Sequence, residues 1–170
     1  CLYPGAFPAD DGKSDQAPPV EKLDLPVEAP KVTFKQYIEP ETGDVDITKQ
    51  NILVGVGRGI QSQDNVQLAE DLAQVLGGAV CASRPVIDQG WQPLSRQVGK
   101  SGMTVKPRVY FALGISGAPE HWEGMQNSLC IIAVNTDPKA PIFDGAHIGV
   151  VGDVLELLPV LTDKVKARKG

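Results

Sequence analysis

No run of apolar residues in this sequence approaches the roughly 18 that a membrane-spanning helix needs, and no charged segment leads into an apolar stretch at its amino end. The expectation is a chain without a membrane span. Positive charge is also in deficit. Lys and Arg number 16 against 21 Asp and Glu, a net charge of −5, so the broad cationic footprint that holds a phosphate backbone is missing and nucleic acid is not an expected partner. Cysteine is scarce and odd in number. Of the three, Cys81 and Cys130 lie in the apolar runs GAVCAS and SLCIIAVN, where a thiol behaves as a small hydrophobe. A reducing compartment and no disulfide framework follow. The two histidines stand far apart and no cysteine pair has ligand spacing, which leaves no metal set; G-x-S-x-G and G-x-x-x-x-G-K-[ST] are also absent. The chain begins at Cys1 rather than Met, which reads as processing or a fragment, with a lipid-anchored amino-terminal cysteine as the alternative.

At 170 residues and 42% hydrophobic, the sequence suffices for one core and an appendage. Pro8 to Pro30, PADDGKSDQAPPVEKLDLPVEAP, is rich in proline and acid and has no sustained apolar period, so it reads as a linker. KVTFKQYI, Lys31 to Ile38, alternates as a half-buried strand does, but a single strand is not stable alone. Residues 1–44 are therefore read as a linker with one isolated strand, which either pairs onto the main sheet or belongs to a part of the protein outside this sequence, and residues 45–170 as the main domain.

From Asn51 the pattern becomes short apolar runs separated by helical or glycine-rich segments. NILVGVG, GAVCAS, RVYFALG, LCIIAVN and HIGVVG each suit a strand buried on both faces of a parallel sheet. Asp64 to Leu76 carries Ala69, Leu72, Ala73 and Leu76 at helical spacing and stops at Gly77-Gly78. A last helix starts near Asp153, with Val154, Leu157, Leu158, Leu161 and Val165 as its stripe, a kink or restart expected at Pro159, and basic residues in its final turns. This alternation predicts an α/β three-layer sandwich with a mainly parallel, Rossmann-like sheet and ligands at the carboxyl ends of the strands.

The stretch GVGRGIQSQDN tests which ligand. A dinucleotide fingerprint needs G-x-G-x-x-G and an acidic residue closing the second strand; here the spacing is G-x-G-x-G (Gly55, Gly57, Gly59) and the second strand ends in Ser83-Arg84. The nicotinamide reading fails on both counts, leaving either a bland turn or a different ligand. ASRP, QVGKSG, GISGAPEH and AVNTDPKAPIF follow the later strands. They gather hydroxyls, backbone amides, Arg58, Arg84, Lys100 and His121 toward one sheet edge, a composition suited to a large anionic ligand.

Read in order, GRGIQSQDN, ASRPVIDQGW, RQVGKSG, VYFALGISGAPEHWEGM, IIAVNTDPKAPIF and GVVGDVLELLP resemble the carboxyl-terminal FAD-binding domain of the electron transfer flavoprotein alpha subunit, over roughly Val45 to Lys166. YPGAFP resembles the R-P-G-x-F segment that closes that family's first domain, which implies that residues 1–44 also carry the end of an amino-terminal domain. The resemblance implies one FAD and a heterodimer in which an electron transfer flavoprotein beta subunit caps it. It also implies an electron carrier, not an enzyme, that passes electrons from flavin dehydrogenase donors to an acceptor oxidoreductase, as in fatty acid β-oxidation. The implied location is the cytoplasm, or alternatively the mitochondrial matrix. Carried over by position, Arg58 and Ser83 lie on the FAD surface and Arg84 packs against the isoalloxazine. Val98, Gly99, Lys100 and Ser101 border the ring, with the Ser101 hydroxyl toward N5. Ser116, Gly117, Ala118, Pro119, Glu120 and His121 follow the diphosphate and ribityl chain, ending with His121 beside O2. Asn135, Asp153 and Val154 meet the ribose and adenine.

Physical chemistry gives these roles content. One-electron reduction of a flavin places negative charge on its N1/C2 carbonyl side, and a unit charge about 4 Å away is worth up to roughly 4 kcal/mol at an effective dielectric near 20. That corresponds to something approaching 170 mV at ~59 mV per 1.4 kcal/mol, so Arg84 is a candidate for tuning the potential. His121 adds to it if protonated, or donates from a neutral ring. Without the resemblance, His121 reads as well as a helix-surface residue on Trp122, Arg84 as a surface cation, and Trp91 and Trp122 as packing residues. His147 has no evident role. Lys100, Ser101 and Pro119-Glu120 depart from the family's commoner Gln, Thr and Ile-Gln; the added Lys and Glu oppose each other, while Ser101 keeps the hydroxyl. The alternatives are an NAD(P)-binding oxidoreductase domain and a non-redox nucleotide-binding adapter.

Overall fold

The computed structural model describes residues 12–13, 15–17, 19–24, 32–35 and 44–169. The chain divides into two units, Cys1–Ile38 and Glu39–Gly170. Cys1, YPGAFP and much of the linker lie outside the described residues; those described between 12 and 24 are exposed. Of the expected strand at 31–38 only Val32 to Lys35 are described, and they form no strand. Val32 and Phe34 are exposed, so the alternation there buries no apolar face.

In the second unit every expected strand forms: β1 (Ile52–Val56), β2 (Ala79–Ala82), β3 (Val109–Leu113), β4 (Cys130–Asn135) and β5 (Ile148–Val151). They make one parallel sheet in the order β2-β1-β3-β4-β5. The order reverses between β1 and β3, which in open α/β sheets is where a ligand crevice opens. Helices α1 (Val66–Leu76), α2 (Arg84–Asp88), α3 (Pro119–Met125), α4 (Ile142–Gly145) and α5 (Val154–Lys169) connect the strands or close the chain.

Strand alternation divides the core in two, because successive side chains leave a pleated strand on opposite faces. Val54, Val56, Val80, Ala82, Phe111 and Leu113 pack with Ala69 and Leu72 of α1 and Leu158 of α5. Leu53, Cys81, Tyr110, Ala112 and Ile131 pack with Met125 of α3, Ile142 of α4 and the loop residues Val98 and Val105. Trp91 packs against the first cluster and Trp122 against the second. The three layers expected from the sequence are therefore present.

Two expectations need correction. β5 is an edge strand, not one buried on both faces: α5 packs on α1 and the layer covers Val150, while Ile148 and Val151 stay 52% and 60% exposed. Pro159 does not restart the last helix, which runs continuously from Val154 to Lys169. Pro159 sits on the exposed side of the sixth helical position, so the helix loses one backbone hydrogen bond there while Val154, Leu158 and Thr162 hold it to the core.

The glycine stretch turns out to be a packing device. A Cβ on Gly57 would lie 2.3 Å from the Gly114 carbonyl oxygen, and one on Gly59 would lie 2.7 Å from the Gly114 Cα. The Gly57 amide donates to the Leu113 carbonyl at 2.8 Å and the Gly59 amide to the Gly114 carbonyl at 3.0 Å. These glycines let the chains leaving β1 and β3 touch, and their amides are already engaged with protein.

Gly114 and Gly77 both have positive φ, +62° and +73°, but a Cβ at Gly114 meets Gly59 backbone at 2.7 Å whereas one at Gly77 meets nothing. Gly77→Ala should cost about 1 kcal/mol, the left-handed strain alone. Gly114→Ala should cost at least about 2 kcal/mol more, because backbone must move. Urea denaturation of the two variants measures the difference; equal costs would refute the close-approach account.

Candidate functional site

A cavity of about 360 Å³ lies beyond the carboxyl end of β2, lined by Arg84, Pro85, Asp88, Gln97, Val98, Gly99, Lys100, Ser101, Ala118, Glu120 and His121. Its size is at the lower end of ordinary ligand pockets, which run about 300–1,000 Å³. Three stretches meet there. Ser83 precedes α2, so Arg84 opens the helix instead of ending a strand, and the Ser83 amide donates to the Val56 carbonyl at 3.0 Å. The Val98 amide donates to the Ala82 carbonyl at 2.9 Å, laying 97–98 beside the end of β2. The Lys100 amide donates to the Glu120 carbonyl at 2.7 Å, which ties the same segment to α3.

Arg96 anchors this arrangement from below. It donates to the Val80 carbonyl at 2.9 Å and to Asp44 at 2.8 and 2.6 Å, and Ser95 also donates to Asp44. The Arg96 hydrogen bonds hold the Asp44 carboxyl at about 2, below its ordinary 3.8, against the opposing effect of burial.

Inside the cavity the polar groups differ in kind. Gln97 is buried and its Nε2 donates to the Ser101 Oγ at 2.9 Å, so the exposed hydroxyl keeps its own proton to donate. Arg84 is exposed and faces Asp88 one turn along α2, Nε to Oδ2 3.4 Å. Lys100 pairs with Glu123 at 3.8 Å, while Glu120 also lines the cavity. His121 is only 6% exposed, which overturns its reading as a helix-surface residue. Its Nε2 lies 3.0 Å from the Tyr110 hydroxyl, while its Nδ1 is buried without a hydrogen-bond partner. Burial lowers the His121 pKa from 6.5 to about 4, opposed by the Val98 backbone, which lies near enough to favour the charged ring although neither ring nitrogen makes a well-formed hydrogen bond to it, so the ring is neutral at pH 7. Of the two ways His121 was expected to act, the neutral ring is the one this environment supports.

The other expected residues lie outside the cavity. Arg58 is exposed on a 3-10 turn after β1. The Ser116 carbonyl accepts from the Ile142 amide at 2.9 Å, and a Cβ on Gly117 would fall 2.3 Å from that nitrogen, so this loop sits tightly on α4. Pro119 and Gly117 line a separate surface recess with Trp122. Asn135 donates to the Ile115 carbonyl and accepts from the Asp137 amide, pinning two loops together. Asp153 accepts from the Leu155 amide at 2.8 Å at the start of α5, and the Val154 side chain is in the core. All stand at or beyond the carboxyl ends of β1, β3, β4 and β5.

Asp88, Gln97 and Tyr110 were missed. Gln97 stands in the RQVGKSG stretch already singled out, but a buried amide holding a hydroxyl is invisible without the fold. His147, without a role from sequence, accepts the Ile131 amide on Nδ1 at 3.0 Å and fastens the entry of β5 to β4.

FAD, the group implied by the resemblance, fits this donor set. A flavin ring presents acceptor carbonyls and an acceptor N5, and the cavity is lined by Ser101 with its hydroxyl, Arg84 with its guanidinium and His121, whose buried Nδ1 lacks a hydrogen-bond partner. An unsatisfied buried polar atom costs about 1–3 kcal/mol, which a ligand acceptor would relieve.

The His121 shift carries a stability signature. The unfolded chain binds a proton there as pH falls through 6.5, the folded chain only near about 4. The unfolded state thus holds more protons in that window, and up to roughly 3 kcal/mol of stability is lost on going down through it. In urea denaturation His121→Gln should lack this component of the acid-dependent loss; an identical pH profile in the two proteins would refute a buried neutral imidazole.

Comparison with known proteins gives the site its context. Residues 46–126 match the electron transfer flavoprotein FAD-binding domain. The chain is 52% identical over 136 residues to protein FixB of Azotobacter vinelandii, covering 79% of this chain and 38% of that protein. It is 52% identical over 125 residues to the electron transfer flavoprotein subunit alpha of Mycobacterium leprae (strain TN), covering 74% and 39%. Against the corresponding subunit of Bacillus subtilis (strain 168) it is 36% identical over 165 residues, covering 97% and 51%. The chain thus spans about two fifths to one half of the length of these relatives. On the matched domain and these relatives together, the chain belongs to the electron transfer flavoprotein alpha-subunit family.

Proposed function

We propose that residues 45–170 hold FAD as the redox centre of an electron carrier, preceded in 1–44 by the end of a first domain and a linker. The carrier takes electrons from flavin dehydrogenases and passes them to an acceptor oxidoreductase, with a beta subunit capping the cofactor. It works in a reducing cytoplasm or the mitochondrial matrix and has no small substrate of its own to convert. The observation that carries this reading is a cavity lined by Arg84, Ser101 and His121, the last with a buried Nδ1 that has no hydrogen-bond partner.

Bound FAD supplies reversible one- and two-electron chemistry, and the protein sets its potential. Arg84 places a fixed positive charge at the cavity rim, favouring a cofactor that has gained negative charge. Ser101, oriented by Gln97, offers its hydroxyl proton to a ring nitrogen. His121 offers a hydrogen bond without bringing a charge. Val98 and Gly99, both buried, close the cavity floor against water. Arg58, Ser83, Ser116 to Pro119, Asn135, Asp153 and Val154 stand along the strand ends for the phosphate, ribose and adenine parts.

Arg84 is exposed and next to Asp88, so its effect belongs near the aqueous limit of about 1 kcal/mol at 4 Å, not the buried one. Arg84→Met should lower the first-electron potential of bound FAD by about 40 mV, shrinking as salt is raised. Spectroelectrochemical titration of the FAD-loaded protein with its beta subunit measures it. If FAD fails to bind even when the first domain and beta subunit are supplied, the carrier reading falls.

A further inference from the structure

Tyr110 was expected only as part of an apolar strand, yet its hydroxyl makes contacts that packing alone does not explain. The side chain is fully buried, and its oxygen lies 3.0 Å from His121 Nε2 and 3.5 Å from the Cys81 Sγ, also fully buried. The Tyr110 and His121 rings meet edge to face, their centroids 6.1 Å apart and their planes at 60°. Gly55, between Cys81 and Ala112 in register, makes the room: a Cβ there would fall 2.4 Å from the Tyr110 oxygen. Three polar side chains from β2, β3 and α3 are thus joined in one line through the sheet face.

A phenol has one proton and can give it to only one neighbour. The imidazole nitrogen is a strong acceptor and the thiol sulfur a weak one, so the Tyr110 proton goes to Nε2 and the Cys81 thiol donates to the phenol oxygen. An Nε2 that accepts carries no proton. In a neutral ring the proton is then on Nδ1, the nitrogen left without a partner. With the opposite polarity Nδ1 would be a bare lone pair, and a carbonyl oxygen brought to it would be repelled.

We propose that Cys81, Tyr110 and His121 form a directed hydrogen-bond chain that fixes the His121 proton on Nδ1 and makes this nitrogen a donor to a carbonyl oxygen of the flavin ring. Tyr110 and Cys81 are positioning residues: they touch no cofactor and act through His121. The donor's target rests on the FAD reading above, whereas the tautomer can be read without any cofactor.

Long-range proton–nitrogen correlation spectra of the ¹⁵N-histidine-labelled 170-residue chain, at a pH where both histidines are neutral, test this directly. His147 supplies an internal contrast, because its Nδ1 accepts a backbone N–H and its proton must be on Nε2. Wild type should show the two opposite tautomers, assigned with His147→Gln. Tyr110→Phe should move the His121 proton toward Nε2, whereas Cys81→Ser, which keeps a hydrogen-bonding group, should leave it on Nδ1. A proton on Nε2 of His121 in the wild-type chain overturns the proposal whether or not any variant folds; an unchanged tautomer in a folded Tyr110→Phe overturns the role of Tyr110. In the assembly with the beta subunit, Tyr110→Phe should also weaken FAD binding by about tenfold, the loss of one well-placed hydrogen bond. FAD bound with unaltered affinity in Tyr110→Phe would reject the donor target alone, and FAD unbound in every assembly would reject the carrier reading while the tautomer result stands.

Discussion

The contact between the chains leaving β1 and β3 is the constraint on which the rest depends. Gly57 and Gly59 lie against Gly114 at distances that no side chain tolerates, and two hydrogen bonds extend the β1/β3 ladder past the ends of the strands. With the exits of β1 and β3 held together, the cavity lies not at the point where the strand order reverses but between the loops that follow β2 and β3. Segment 97–101 and the start of α3 line that gap. The glycine stretch therefore shapes a ligand site indirectly. It holds two loops together so that others can stand apart, which also explains why its spacing departs from a phosphate-binding fingerprint.

Much of the fold was legible because periodicity reports burial, and burial is what folds the chain. The five apolar runs became the five strands, and Asp64 to Leu76 became a helix that starts at Val66. HIGVVG was misjudged in environment because an apolar run says nothing of position in the sheet, and the last strand in order has one neighbour. Of the kink or restart expected at Pro159 the restart does not occur, because the proline's cost is local while helix burial is collective. At the site, segments that carry the chemistry were visible as polar, glycine-bearing loops after strands. Their partners were not: Tyr110 looks like core in RVYFALG, and only the fold brings its hydroxyl to His121 across the sheet face. Arg84 and Lys100 were recognised as cations, but their pairing with Asp88 and Glu123 depends on helix phase and loop placement.

The charged groups at the cavity are all exposed, and its two cations, Arg84 and Lys100, each have a carboxylate close by, whereas its buried groups are all neutral. This division has an energetic reason. Surface pairs contribute only about 0–1 kcal/mol and respond to salt, while an unpaired ion at the depth of His121 would carry a desolvation cost of several kcal/mol. The site thus places adjustable, weak electrostatics at its mouth and fixed dipoles inside. A beta subunit covering the mouth would remove water from Arg84 and Asp88 together, strengthening the field of each, so their balance in the complex depends on which of the two remains nearer the ring.

A neutral donor and a cation do different things to a redox cofactor. The cation favours every state with more negative charge, and its influence reaches several ångströms and weakens with ionic strength. A hydrogen bond from Nδ1 acts on one acceptor atom, strengthens as that atom gains charge, and is nearly indifferent to salt because it is buried. Protonating His121 would add the long-range effect but destroy the chain to Tyr110, since both ring nitrogens would then be donors and the phenol would lose its acceptor. The burial that keeps the ring neutral and the hydroxyl that polarises it therefore serve one end: a single oriented donor whose strength follows the electron.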